Sequence, residues 1–162
     1  MRVKSELHVY TDGACSAETG GFGFVVVNPT TGQHIPVGQG PYRDTTNNQM
    51  EMMAVIAAMR FIHKRIGASN LLIYSDSKYV INGITSWIHN WKRNGWFTSD
   101  RKLVKNAALW KDMEAARDLH QITRFEWVRG HDGNKYNEMA DQLAVYHRTQ
   151  IAKALTIARV AG

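Results

Sequence analysis

At 162 residues and 44% hydrophobic composition, the chain carries enough apolar material for one sizeable core, which predicts a single globular domain. Twenty Lys and Arg against fourteen Asp and Glu give a net charge of +6 and a pI near 9.6, a balance that suits a polyanionic partner. The lone Cys15 excludes an internal disulfide framework and a thiolate metal cage, no apolar run reaches the about 18 residues of a membrane span, and MRVKSELHVY has no signal-peptide core, so the expectation is a soluble, cytoplasmic protein.

In chain order, residues 7–12, 22–28 and roughly 33–39 are short β-prone runs separated by Gly, Asn-Pro and Thr-Gly turn signals, which predicts an antiparallel meander. The stretch TTNNQMEMMAVIAAMRFIHKRI follows. Thr46-x-x-Gln49 fits a capping box, and Met50, Met53, Ala54, Ala57 and Phe61 keep helical spacing, predicting a helix from about 47 to 65. After Gly67, NLLIYSDS reads as an apolar strand ending on Asp76, followed by helical segments through 78–93. A further helix is predicted over 102–119, a last strand at ITRFEWVR, and a helical pattern from Asn137 onward. Three hairpin-linked strands followed by β/α alternation imply an α/β fold with a mixed sheet and helices packed on it.

Four carboxylates sit awkwardly in this layout. Asp12 ends the first strand and Asp76 the fourth, and strand C-terminal ends in α/β sheets are where ligand sites gather. Glu51 lies in the first turn of a helix whose neighbours at 50 and 52–55 are all apolar, where a charge is expensive unless compensated. Asp141 follows Asn137 by one turn among Met139, Ala140, Leu143 and Ala144. Each has an ordinary structural use: an Asp-Gly turn at Asp12, a dipole partner at Glu51, an N-cap at Asp76, a solvated residue at Asp141. Together they suggest something else. Clustered carboxylates repel unless a cation neutralises them, and hard oxygen ligands suit Mg²⁺ or Mn²⁺ better than zinc. An acidic, cation-holding site in a basic protein points to phosphodiester chemistry.

The segments YTDGAC, TTNNQMEMMAV, YSDSKYV, GITSWIHNWKRNGW, LVKNAALW and FEWVRGHDGNKYNEMADQLA occur in the order, and near the spacing, seen in bacterial-type ribonuclease H of type 1. Over residues 5–145 the chain resembles that family. The resemblance implies a ribonuclease H-like fold, a five-stranded mixed sheet in order 3-2-1-4-5 flanked by helices, with a catalytic domain at 1–146 and a helical or flexible tail at 147–162. It implies an endonuclease that hydrolyses the RNA strand of RNA/DNA hybrids; beside it, a monomer with no membrane association is expected. Asp12, Glu51, Asp76 and Asp141 match the metal-holding carboxylates, with Mg²⁺ as the expected ion and Mn²⁺ able to substitute. The physical expectation beside it is a two-metal hydrolysis, in which one ion lowers the pKa of the attacking water and the other stabilises the leaving 3′-oxygen, giving 5′-phosphate and 3′-hydroxyl ends.

His131, in the glycine-flanked loop RGHDGNKYN, matches a mobile histidine with a proton-shuttle or product-release role, although a surface histidine is the commoner fate. Asn137 and Glu138 match residues that orient the carboxylates by hydrogen bonding. For substrate, Trp87, Trp91, Lys92, Arg93 and Lys105 match a basic protrusion that grips the DNA strand, against the plainer account of an apolar stripe with a solvated basic face. Thr46, Asn47, Asn48 and Asn106 match minor-groove and phosphate-pocket positions, where the alternative is helix capping or solvation. The chain departs from the family pattern in a short 16–21 loop, in Lys78 after Asp76-Ser77, and in Gln49 where an arginine is common. Two other classes compete with the hybrid-specific nuclease: a DNA nuclease of the same fold and a catalytically silent hybrid-binding module. The complete set of four acids disfavours the second of these.

Overall fold

A computed structural model describes the backbone of residues 5–161 and the side chains of residues 5–149. A mixed sheet of five strands, in order β3-β2-β1-β4-β5, forms its centre, as the resemblance implied. Strands β1 (Glu6–Ser16), β2 (Thr19–Val27) and β3 (His34–Tyr42) form the antiparallel meander. After helix α1 (Asn47–Arg65), β4 (Asn70–Ser75) returns parallel to β1, and β5 (Ile122–Trp127) adds in parallel at the edge. Between β4 and β5 lie α2 (Lys78–Asn82), a π-helical turn at Gly83–Trp87, α3 (Ile88–Arg93) and α4 (Ala107–Arg117), and α5 (Lys135–Ala161) closes the chain. The expected tail at 147–162 continues α5 as far as Ala161, and its side chains from 150 on lie outside the described residues.

One core fills the space between the sheet and α1 with α4: Val9, Phe22, Phe24, Leu71 and Ile73 meet Met52, Val55, Ile56, Met59, Ile62 and the fully buried Trp110. Helix α1 starts where the sequence places it because Thr46 and Gln49 close a reciprocal capping box, satisfying two otherwise orphaned backbone donors. His63, Lys64 and Arg65 in its last turn oppose the helix dipole. A smaller core on the opposite face joins Tyr10, Val25 and Val27 to Ala140, Met139 and Leu143 of α5. There α5 sits almost on the backbone of β2: a Cβ on Gly23 would lie 2.6 Å from the Leu143 Cβ and 2.7 Å from the Ala140 carbonyl oxygen, closer than packed atoms come. Gly21 is in the same position beneath Ala144 and Arg148.

Several boundaries differ from the expected ones, three of them with a clear physical cause. The first strand continues through Asp12 to Ser16, because its antiparallel partner β2 pairs along the whole length down to Ser16–Thr19. The helical stretch 78–93 is interrupted by the π turn. The Trp110 ring lies against Gly83 with no room for a Cβ, and the Thr85 hydroxyl donates back to the Ile81 carbonyl at 2.6 Å, a bond that distorts helices. The helix expected from 102 begins only at Ala107. Residues before it form a small hairpin held by Thr98 N–H to Lys102 O at 2.7 Å and Val104 N–H to Trp96 O at 2.8 Å, with Phe97 bridged to Leu103.

Candidate active site

The parallel pairing of β1 with β4 stops at Thr11–Ser75, and the next residue on each strand is an aspartate. Asp12 and Asp76 are thereby delivered side by side at the C-terminal end of β4, although only one of their strands ends there. Glu51 is the fifth residue of α1, so it lies in the second turn and not the first. It reaches the pair because residue 13 is glycine: a Cβ there would collide with the Glu51 backbone nitrogen and the Met50 carbonyl carbon. Carboxylate oxygens of Asp12, Glu51 and Asp76 all come within 4.8 Å of one another. Asp141 on α5 lines the same cleft, together with Thr11, Gly130, His131, Asn137 and Glu138.

Asp12, Glu51 and Asp76 are not in their ordinary structural uses. Ser77, and not Asp76, caps α2 by accepting the Val80 N–H at 3.2 Å. No acid occupies the first turn of α1. Asp12 makes no turn, since its strand runs on. The Gly13 N–H donates to Asp12 Oδ1 at 2.9 Å and to Glu51 Oε1 at 3.1 Å, but Glu51 Oε2 is buried with no hydrogen-bond partner among the described residues.

Electrostatics state the same problem. Burial, then the charges of Asp76 and Asp141, push the Asp12 carboxyl up to about 7, despite contacts with Glu51 and Gly13 that favour its ionised form. Burial and the adjacent Asp12 raise Glu51 well above its ordinary value. Asp76 is raised by burial, and the nearby His131 partly offsets this. So dense a group of buried oxygens resists full ionisation unless positive charge joins it. An all-oxygen donor set with one orphaned, inward carboxylate oxygen fits a hard divalent cation.

His131 is exposed and left-handed, with φ 57°, directly after Gly130, where a Cβ would come within 2.7 Å of Asp76 Oδ2. Glycine lets the loop close on Asp76, while the Trp127 indole N–H donates to the Asp76 carbonyl at 3.0 Å from the other side. Asn134 starts α5 by accepting the N–H groups of Tyr136 and Asn137, which sets Asn137 and Glu138 at the cleft.

The candidate substrate residues form a second group. Trp87 is 40% exposed, whereas Trp91 is half-buried among Trp87, Trp96 and Trp110, so the apolar-stripe account holds for part of the tryptophan spacing. Lys92 pairs with Glu114 at 3.0 Å, Arg93 bonds Asn90, and Lys105 is exposed. Thr46 is the cap of α1, Asn47 is exposed and Asn48 half-buried. Asn106 occupies the N-cap position of α4 but makes no side-chain capping bond, and it is not simply solvated: it bonds Gln49 and Tyr79. Sequence reasoning missed Tyr79 and saw Gln49 only as a cap and a departure. The positions 49, 79 and 106 carry no shared local pattern that would have joined them.

The sequence profile of the family described as RNase H matches residues 4–148. The chain is 47% identical over 155 residues to Ribonuclease H of Bradyrhizobium diazoefficiens, covering 94% of each chain. Against Ribonuclease H of Cereibacter sphaeroides it is 45% identical over 144 residues, covering 86% of this chain and 93% of that one. Among solved structures it superposes with a TM-score of 0.74 on LC9-RNase H1, a type 1 RNase H with the type 2 active-site motif. The identity there is 31%, with 90% of this chain and 72% of the other covered.

Proposed function

The chain belongs to the ribonuclease H family, the metal-dependent nucleases that cleave the RNA strand of RNA/DNA hybrids, and we propose that Asp12, Glu51, Asp76 and Asp141 hold the metal for that reaction. The observation that carries this reading is the convergence of carboxylate oxygens from Asp12, Glu51 and Asp76 within 4.8 Å of one another, beside a buried Glu51 Oε2 that has no hydrogen-bond partner among the described residues. Mg²⁺ is the ion proposed, with Mn²⁺ as a substitute. Bound as a pair, such ions supply a water of lowered pKa and positive charge for the leaving 3′-oxygen, leaving 5′-phosphate and 3′-hydroxyl ends.

The protein's own groups do the rest. Asp12, beside Glu51 and Asp76 and under the field of Asp141, would hold the metal together with them. Gly13 N–H orients Asp12 and Glu51 together. His131, exposed beside Asp76, moves a proton at the edge of the cleft or helps product leave. Asn137 and Glu138 orient the carboxylate one turn along α5. Thr46, Asn47, Asn48 and Asn106 contact sugar and phosphate of the duplex, and Trp87, Trp91, Lys92, Arg93 and Lys105 pack and neutralise the DNA strand. The catalytic unit is assigned to residues 1–146, working as a monomer in the cytoplasm. No helix among the described residues is long and apolar enough to cross a membrane.

The test is a side-by-side assay of hybrid, duplex RNA and duplex DNA with Mg²⁺. Cleavage of the hybrid alone, in its RNA strand, is expected. Cleavage of duplex DNA at a comparable rate, or binding of hybrid without cleavage, overturns the proposal.

A further inference from the structure

Gln49 uses its carbonyl oxygen twice: Oε1 accepts the Thr46 backbone N–H at 3.2 Å and the Thr45 hydroxyl at 3.1 Å. A backbone N–H is only ever a donor, so it fixes which way round the Gln49 amide lies. The NH₂ end therefore faces Asn106, with Nε2 donating to Oδ1 at 3.1 Å. That bond fixes Asn106 in turn, whose Nδ2 donates to the Tyr79 hydroxyl oxygen at 3.1 Å. One peptide N–H thus sets the polarity of three side chains in series.

The series consumes acceptors and leaves donors. The second Nδ2 hydrogen of Asn106 and the hydroxyl proton of Tyr79 have no acceptor among the described residues. Asn106 precedes α4 in a left-handed conformation, φ 60°, and makes no side-chain bond to that helix, so its amide is free for this network. Tyr79 is held in place by ring contacts with Trp87 and the buried Trp110. Exposed Lys105 is the adjoining residue. A half-buried patch offering N–H, O–H and ammonium donors matches the oxygens of a phosphodiester.

We propose that Gln49 is a positioning residue: acting through Asn106, it keeps that amide's NH₂ end available to a phosphodiester oxygen of the hybrid. This rests on the reading of Asn106 as a substrate contact, and it adds a residue that need not touch the substrate itself. A carboxylate at position 49 still accepts the Thr46 N–H but presents an oxygen to Asn106. Asn106 then turns its NH₂ inward and its Oδ1 outward, and the phosphate meets an acceptor.

The test is a double-mutant cycle of Gln49→Glu with Asn106→Ala, reading KM and kcat on hybrid with Mg²⁺ at fixed salt. Asn106→Ala is expected to raise KM about tenfold with kcat unchanged, the scale of one hydrogen bond to a charged group. Gln49→Glu is expected to raise KM at least as much alone, yet by less than about twofold in the Asn106→Ala background. Gln49→Met breaks the series without adding charge; run through the same cycle, it separates lost positioning from simple repulsion and stands in if the Glu variant does not fold. The side-chain amide ¹H–¹⁵N signals of Asn106 are expected to shift in both Gln49 variants. Additive effects on KM in the two cycles, or a loss in kcat in place of a rise in KM, overturn the positioning role alone. An unchanged KM in Asn106→Ala overturns the substrate reading of Asn106 and this inference with it, so the two failures are distinct.

Discussion

Asp12 and Glu51 share one proton donor, the Gly13 N–H, which lies 2.9 Å from the first and 3.1 Å from the second. A single amide hydrogen offsets little of the repulsion between two buried carboxylates, so the metal-free protein carries a destabilised centre.

Asp12→Asn is expected to remove cleavage by orders of magnitude and to stabilise the metal-free fold. The sign follows from the Asp12 carboxyl, ordinarily at 3.8 and here raised to about 7. The folded state binds the proton more tightly, so stability is fully present below 3.8 and is lost as pH rises through about 7. With metal chelated at pH 8, the variant is expected to melt about 5 °C or more above the wild type, and the gap should close near pH 4. Excess Mg²⁺ should raise the wild-type Tm and leave the variant nearly unmoved. Cleavage retained by Asp12→Asn would falsify the metal assignment.

His131→Ala should be milder. Water substitutes in part for a group that only shuttles a proton or assists release, so the loss is expected to be on the order of 10²-fold or less. A loss as deep as that of Asp12→Asn would place His131 among the groups that hold the metal.

Lys92→Gln with Arg93→Gln separates binding from chemistry. Each lost phosphate contact should reduce the slope of log affinity against log salt by roughly 0.9, raising KM and sparing kcat. Because Lys92 is already paired with Glu114, Arg93→Gln alone is expected to account for most of the change. An unchanged salt slope in the double variant would identify these cations as a solvated face.

His120 is buried as the neutral ring: Nδ1 accepts the Ser69 N–H at 3.2 Å, leaving Nε2 to donate to the Met59 carbonyl at 2.8 Å. Burial lowers its pKa from 6.5. Its contribution is therefore fully present above pH 6.5 and is lost as pH falls through the lowered folded value. Denaturant unfolding of His120→Gln should show a deficit of about 1–3 kcal/mol at pH 7.5 that narrows by pH 5. A deficit that is constant with pH would mean the ring's protonation plays no part.

What the sequence disclosed depends on how local each cause is. The start of α1 was legible because Thr46 and Gln49 lie three residues apart and bond each other. The acids were legible as charges among apolar neighbours, and their convergence followed from ordered motifs. The stop of β1 at Asp12 was misjudged, since the strand that stops there is β4, whose pairing no local pattern reports. The π turn depends on Trp110, far along the chain from Gly83, and the late start of α4 on a hairpin whose closing bonds span residues 96–104. The polarity series from Thr46 to Tyr79 joins three separate segments through side-chain amides, and composition leaves no trace of it.

The glycine seat beneath α5 governs the fourth acid. Asp141 is placed by a helix whose backbone rests directly on β2 at Gly21 and Gly23, with no intervening side chain to yield. Asp12, Glu51 and Asp76 all belong to the first half of the polypeptide, while their fourth partner belongs to the closing helix. The cleft is therefore complete only once α5 is seated on the β1–β2 hairpin, so any change that lifts the helix from Gly21 or Gly23 moves the fourth acid while leaving the other three in place.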